Sequence, residues 1–195
     1  MEGEFLPFLS FFTKKIRRST SKMVVDFFQK IVYNKVTRLR EKGVKKMTIY
    51  FDMDGTIANL YGVENWLEKL RAEDVSPYVE AEPLVDMCEL SRLLNVLQLS
   101  GVNLGIISWL SKDATKEYDK MVRRAKREWL MENLPAVEWD EIHLVKYGTP
   151  KHSCCRENFG ILFDDNDAVR EKWEKRGMAF DVENILEILE IFSLI

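Results

Sequence analysis

From residue 47 onward, short apolar segments alternate with longer segments of helical periodicity, and no other sequence feature constrains the fold as much. Strands are predicted for the short segments at 47–52, 103–108, 142–145, 160–164 and 178–181. Helices are predicted for the longer segments at 84–99, 114–133, 167–176 and 183–191. Strands that alternate with helices form a mainly parallel sheet covered on both faces. The sequence therefore predicts an α/β fold, a Rossmann-like three-layer sandwich with a mainly parallel five-stranded sheet.

Residues 1–46 differ in charge from the rest of the chain, with 12 Lys/Arg against 4 Asp/Glu, whereas residues 47–195 contain 17 against 28. Apolar residues recur at helical spacing from about 22 to 41, which predicts a basic amphipathic helix. Such a helix could pack on the domain, or residues 14–46 could contact a membrane surface or nucleic acid. The sequence also leaves open that Met47 is the biological start and that 1–46 are an upstream artefact. We therefore expect a basic helical extension at 1–46 and a domain at 47–195.

The overall composition, 46% hydrophobic and 31% charged, is typical of a soluble globular protein. No apolar run reaches the length of about 18 residues that a membrane-spanning helix needs. The apolar segment 5–12 precedes its basic residues, which is the reverse of a secretory signal. The cysteines Cys88, Cys154 and Cys155 are odd in number, which favours free thiols in a reducing compartment. These features predict a cytoplasmic protein.

Acidic side chains follow two of the predicted strands. Asp52 and Asp164 lie at strand ends, with Asp54 and Asp165 just beyond them. In parallel sheets of this kind the ligand binds at the carboxyl ends of the strands. Carboxylates gathered there would repel one another, and a hard divalent cation such as Mg²⁺ relieves that repulsion. We therefore expect Mg²⁺ as the cofactor, these four residues as its site, and a phosphorylated substrate.

Uncharged residues near the same strand ends are candidates for binding that substrate. Gly55 permits a turn in which main-chain N–H groups, including that of Thr56, could face an anion. Ser108 ends a predicted strand and could donate a hydrogen bond to a phosphoryl oxygen. Trp109 follows it and could face the substrate. We expect Gly55, Thr56, Ser108 and Trp109 to bind the substrate.

A lysine is expected to neutralise the phosphoryl charge. Lys151 lies in the turn-rich stretch 147–151, which could carry its side chain toward the rim. Lys146 directly follows the predicted strand 142–145 and is the alternative. The sequence favours Lys151.

The segment Asp52-Met53-Asp54-Gly55-Thr56 after an apolar strand resembles the first motif of the haloacid-dehalogenase-like hydrolase superfamily. The later order is also similar: a strand ending in Ile106-Ile107-Ser108, then a lysine, then Ile161-Leu162-Phe163-Asp164-Asp165. Together these motifs cover about 47–192. Dehalogenating members resemble this chain less, because they do not need the second aspartate, Asp54. The resemblance implies a Mg²⁺-dependent phosphomonoester hydrolase.

The resemblance also implies roles for the site residues. Asp52 would attack phosphorus and form an aspartyl-phosphate. Asp54 would protonate the leaving group and then deprotonate the attacking water. Mg²⁺ would be held by the Asp52 carboxylate, the Asp54 main-chain carbonyl and Asp165, with Asp164 binding through water or orienting the shell. Ser108 would hold the transferring phosphoryl group.

In this superfamily a cap after the first motif usually sets the substrate, and here about 59–83 predicts a small helical cap. Its aromatic residues Tyr61, Trp66 and Tyr78 would suit stacking on a base. The short spacing from Lys151 to Asp164 is similar to the 5′-deoxyribonucleotidase branch. The expected partner is a nucleotide or another small phosphorylated metabolite such as a sugar phosphate, without obligatory nucleic acid.

Two alternatives stay open at this level. The chain could be a non-catalytic phosphate-binding or regulatory module, although receiver domains place their acidic pair first and this chain places it last. It could also be a phosphatase tethered to membrane or nucleic acid by its basic extension. The predicted helix 114–133 is a further basic surface, but its lysines and arginines alternate with acids, which favours a solvated face. Those basic residues are Lys116, Lys120, Arg123, Arg124, Lys126 and Arg127.

Overall fold

The structure is a computed structural model that describes residues 30, 47–155, 160–175 and 177–194. The helix predicted at about 22–41, and the contacts expected of residues 14–46, fall outside the described residues except for Lys30.

The centre of this domain is a five-stranded sheet in which every pairing is parallel. Its strands are β1 (Thr48–Phe51), β2 (Asn103–Trp109), β3 (Glu141–Val145), β4 (Gly160–Phe163) and β5 (Met178–Phe180). Their order across the sheet is β3-β2-β1-β4-β5. The predicted α/β Rossmann-like fold is confirmed, and the sheet is entirely rather than mainly parallel. All residues of the inner strands β1 and β4 are buried, as expected for strands covered on both faces.

Helices connect these strands and flank the sheet. They are α1 (Trp66–Arg71), α2 (Ser76–Glu80), α3 (Met87–Leu99), α4 (Lys116–Asn133), α5 (Asp167–Trp173) and α6 (Ile185–Ser193). The predicted helix 84–99 begins later, at Met87, because the Asp86 side chain caps its first turn. Helices α1 and α2, with a 3₁₀ turn at Leu60–Gly62, lie between β1 and α3. Within the described ranges no helix combines the length and apolar character needed to cross a membrane.

The core lies on both faces of the sheet, because alternate strand residues point to opposite sides. Ile49 and Phe51 of β1 belong to the larger cluster, which includes the buried leucines of α3 and the apolar stripe of α6. Tyr50, between them, belongs to the smaller cluster, where it meets Trp173 of α5 edge to face at 5.5 Å. Burial on both faces holds the strands in fixed register and so fixes the positions of the residues at their carboxyl ends.

Candidate active site

The carboxyl ends of β1, β2 and β4 form one rim. Phe51 pairs with Ile106 on one side and with Phe163 on the other, so Asp52 and Asp164 leave the sheet at the same level. The Asp52 N–H extends this pairing by donating to the Phe163 carbonyl at 2.9 Å. The register thus brings Asp52, Asp164 and Ser108 to one edge, although β2 extends one residue past the predicted end, to Trp109.

Asp52, Asp164 and Asp165 form an acidic cluster in which one oxygen from each carboxylate lies within 4.8 Å of the others. Asp164 is fully buried and Asp52 is 7% exposed, whereas Asp165 is partly exposed. Burial, with the charges of Asp52 and Asp164, raises the pKa of Asp165 to about 7. A hard cation would relieve that repulsion, and three carboxylates are ligands that suit Mg²⁺. The three carboxylates of the cluster could therefore hold a metal ion.

A glycine lets Asp165 approach the first loop. Gly55 has a positive φ of 76°, and a Cβ at this position would lie 2.5 Å from Asp165 Oδ2 and 2.5 Å from the Tyr61 ring. Its N–H donates to the Ala58 carbonyl at 2.9 Å. A larger residue would push the Asp165 carboxylate away from Asp52.

The turn after Asp52 was expected to direct its N–H groups at an anion, but the Gly55 and Thr56 N–H groups form hydrogen bonds within the turn. The Gly55 N–H is bonded to Ala58, as noted above, and the Thr56 N–H donates to the Met53 carbonyl at 3.1 Å. The Thr56 side chain is fully buried, and its Oγ1 accepts from the Asp165 N–H at 3.2 Å. These groups are used to close the turn and hold the acidic loop, because a tight turn bonds its own N–H groups first.

Lys151, and not Lys146, reaches the acidic cluster. Its Nζ lies 2.8 Å from Asp52 Oδ2 and 2.6 Å from Asp164 Oδ2, while Lys146 is exposed. Burial lowers the pKa of Lys151, but the two carboxylates outweigh this effect and raise it above its ordinary value. Lys151 is therefore a fixed positive charge beside Asp52.

The Asp54 carboxylate does not join the acidic cluster. Its Oδ2 pairs at 2.6 Å with Nζ of Lys126, which comes from α4. Burial raises the pKa of Asp54, Lys126 opposes this, and the nearby Asp52 adds to it, so the net direction is upward. A buried carboxyl with a raised pKa can hold a proton for transfer.

Lys126 is the site residue that the sequence analysis missed. A solvated face was predicted for the basic residues of this helix, and for Lys126 that is wrong, because its side chain is 1% exposed. The prediction does hold for Arg124 and Arg127, which are exposed. Its spacing could have indicated burial, because Lys126 lies four residues after Val122 and three before Trp129, on the buried stripe of the helix.

A pocket of about 550 Å³ borders Asp52 and Asp54. Its walls are aromatic: Tyr61 and Trp66 meet edge to face at 5.0 Å, and Trp109 and Tyr147 lie 5.1 Å apart. Trp109, predicted to bind the substrate, lines the pocket, and its Nε1 is fixed by donation to the Thr149 carbonyl at 2.8 Å. The site can therefore hold a ligand whose reacting group meets Asp52 and whose remainder meets aromatic rings.

One edge of the pocket is joined to α4. The Glu73 carboxylate, in the loop between α1 and α2, accepts from both the N–H and the hydroxyl of Thr115 at 2.7 Å. The Tyr118 hydroxyl donates to the Asp74 carbonyl at 2.7 Å. These bonds fix the α1–α2 loop against the helix that carries Lys126.

Comparisons with known proteins add no relative. Neither a protein-family model nor a curated protein matches the chain. The functional interpretation therefore depends on the residues of the site.

Proposed function

We propose that this chain is a Mg²⁺-dependent phosphomonoester hydrolase that acts through an aspartyl-phosphate on Asp52. One observation carries the proposal: Asp52 belongs to a three-carboxylate cluster, contacts the buried ammonium of Lys151, and lies at the wall of a pocket that Asp54 also lines. Such a site combines a nucleophile, a proton donor, metal ligands and a fixed positive charge.

The metal would be held by Asp52, Asp164 and Asp165. When bound, Mg²⁺ supplies positive charge that stabilises the phosphoryl oxygens in the transition state. Lys151 contacts two of these carboxylates and neutralises part of their charge, so that the nucleophile can approach an anionic phosphate.

In the first step, an oxygen of the Asp52 carboxylate forms a bond to phosphorus. The bond from phosphorus to the leaving-group oxygen breaks, and that oxygen takes the electron pair and a proton from Asp54. The raised pKa of Asp54 keeps that proton available. The first product is an alcohol, and the phosphoryl group stays on Asp52.

In the second step, water attacks the phosphorus of the aspartyl-phosphate while the Asp54 carboxylate takes a proton from it. The bond from phosphorus to the Asp52 oxygen breaks, so the Asp52 carboxylate is regenerated and inorganic phosphate leaves. Ser108 is the next-to-last residue of β2, and its side chain is fully buried beside the pocket-lining Trp109. We assign to its hydroxyl the binding of the phosphoryl group through both steps.

The pocket favours a substrate with a planar leaving group. Its volume and its rings, Tyr61, Trp66, Tyr78, Trp109 and Tyr147, suit a nucleotide whose base stacks on an aromatic face. A sugar phosphate or another small phosphorylated metabolite is the second candidate, since the exposed Arg71 and Lys112 could bind hydroxyl groups at the pocket edge.

The test is hydrolysis of p-nitrophenyl phosphate by the purified full chain in Mg²⁺. Asp52→Asn should reduce kcat by about 10³-fold or more, because the nucleophile is lost, and excess chelator should abolish turnover. Asp119→Asn, an aspartate on α4 outside the site, is the matched control and should retain activity. Activity that survives in Asp52→Asn or in chelator would overturn the mechanism. Phosphate binding without turnover in the wild-type chain would favour the regulatory alternative.

A further inference from the structure

The ammonium group of Lys126 has an oxygen acceptor for each of its protons. It lies 2.6 Å from Asp54 Oδ2, 2.8 Å from Ser108 Oγ and 2.8 Å from the Trp109 carbonyl. A lysine ammonium has three N–H donors and no acceptor. With a side chain only 1% exposed, Lys126 has no donor left for a substrate.

Those acceptors belong to separate parts of the site. Asp54 is in the loop after β1, whereas Ser108 and Trp109 are in β2. The ring of Tyr78, from α2, lies 5.2 Å from Nζ and adds a cation–π contact. Lys126 therefore links the first loop, the second strand and the short helices beside the pocket.

The contact also decides which atoms of Asp54 and Ser108 are left for the reaction. The Ser108 side chain is fully buried, and its Oγ accepts from Lys126, so its hydroxyl proton remains available as a donor. Because Asp54 Oδ2 accepts from Lys126, Oδ1 is the oxygen that would exchange a proton with the leaving group.

We propose that Lys126 is a positioning residue for the phosphoryl-transfer reaction: it orients the Asp54 carboxylate and the Ser108 hydroxyl without touching the substrate. This role depends on the proposed function, because it assigns a task to Asp54 and Ser108 in that reaction. It differs from the role of Lys151, whose ammonium contacts Asp52 itself.

The test uses two substrates that differ in how much they need Asp54. The p-nitrophenolate group of p-nitrophenyl phosphate leaves without a proton, whereas the alcohol of glycerol 2-phosphate needs one. The parameter kcat/KM reports the transfer to Asp52 and not the later hydrolysis. For Lys126→Met, kcat/KM on glycerol 2-phosphate should fall by about 10²-fold more than on p-nitrophenyl phosphate, a share typical of general acid catalysis.

Two further variants distinguish the contact with Asp54 from a general effect of removing a cation from the helix. Arg127→Met removes the neighbouring exposed cation from the same helix, and its ratio of the two kcat/KM values should equal that of the wild type. Lys126→Gln keeps a side-chain donor near Asp54 without the charge, and its ratio should lie between wild type and Lys126→Met. Equal losses on both substrates in Lys126→Met and Lys126→Gln would overturn the proposal, because a general structural or charge effect acts on both alike.

If the Lys126 variants do not fold, a measurement that keeps Lys126 in place can still test the proposal. Spectra of ¹⁵N-lysine protein should contain an ammonium resonance in slow exchange with water that moves in Asp54→Asn. Failure of every such resonance to respond would contradict the proposal. If the wild-type chain hydrolyses neither substrate in Mg²⁺, the proposed function fails; if it is active and the ratio does not change, only the role of Lys126 fails.

Discussion

In the proposed mechanism Asp52 is the nucleophile and Asp54 the proton donor, and each has the buried ammonium of a lysine beside it. Lys151 lies 2.8 Å from the Asp52 carboxylate, and Lys126 lies 2.6 Å from that of Asp54. Both lysine side chains are 1% exposed, so the charges are poorly screened by solvent. Removing either lysine would leave a buried carboxylate without its compensating charge, which is strongly destabilising. The residues of the site are therefore also coupled to its stability.

A substitution at Gly55 would introduce both backbone strain, because φ is positive, and a steric clash with Asp165 and Tyr61. Gly55→Ala should lower the free energy of unfolding by about 2 kcal/mol, since it adds a steric clash to the cost of about 1 kcal/mol for alanine at positive φ. It should also weaken Mg²⁺ binding by about tenfold, because the Cβ would meet Asp165. Denaturant unfolding and titration calorimetry measure the two effects.

The control for that substitution is Gly148→Ala. Gly148 has a φ of +80°, and a Cβ there would have nothing within 4 Å. This variant should show the strain cost alone, with unchanged Mg²⁺ affinity. Equal Mg²⁺ affinities in the two variants would contradict the place assigned to Asp165 as a ligand.

At the scale of elements, the site is built from strand ends, a helix and two short helices that lie over it. Helix α4 contributes in two ways: its buried stripe carries Lys126, and its first residues bind the α1–α2 loop. The N-cap of this helix, Thr115, both accepts from Tyr118 N–H and donates to Glu73. Helix α4 and its N-cap thus contact both Asp54, the proposed proton-transfer group, and Glu73 at the edge of the pocket.

Glu73→Gln tests the contact between the α1–α2 loop and α4. The amide keeps the size of the side chain but offers only one acceptor oxygen, so the Thr115 hydroxyl can no longer donate to the second position and has to accept there instead. We expect KM for p-nitrophenyl phosphate to rise by about threefold to tenfold with a smaller change in kcat, and stability to fall by about 1 kcal/mol. The exposed Glu82→Gln is the matched control. Unchanged KM in Glu73→Gln would show that the contact does not shape the pocket.

At the scale of the whole molecule, the acidic cluster links folding stability to pH and metal. The pKa of Asp165 is about 7 in the folded chain, against an ordinary value of 3.8. Between these values the folded state binds more protons than the unfolded state, so this group makes the metal-free protein less stable as pH rises from about 4 to 7. The proposed Mg²⁺ would bind the ionised carboxylate, so its stabilising effect should grow over the same range.

Thermal unfolding at pH 5 and pH 8, with and without Mg²⁺, measures this dependence. The increase in Tm caused by Mg²⁺ should be larger at pH 8. In Asp165→Asn the increase should be small at both pH values, because the neutral amide neither titrates nor supplies a charged ligand. A Tm increase independent of pH in the wild-type chain would count against Asp165 as a titrating ligand.

The fold and the strand-end residues could be predicted from sequence because both depend on local patterns. The alternation of apolar strands and helices determines a parallel sheet, and in such a sheet residues that end adjacent strands must meet at one edge. Asp52, Ser108 and Asp164 meet there for that reason. The preference for Lys151 over Lys146 likewise followed from a turn-rich segment.

Only the tertiary structure decided the place of Lys126, the use of the Gly55 and Thr56 N–H groups, and the contribution of Tyr147 to the pocket wall. A lysine on the apolar stripe of a helix is buried or displaced according to what that stripe faces, and here it faces the Asp54 carboxylate. The sequence by itself determined the sheet and the carboxylates at its edge, since strand period and strand ends are local properties. The partner of each buried charge was decided by packing between segments distant in the chain, where hydrogen-bond geometry and burial act together.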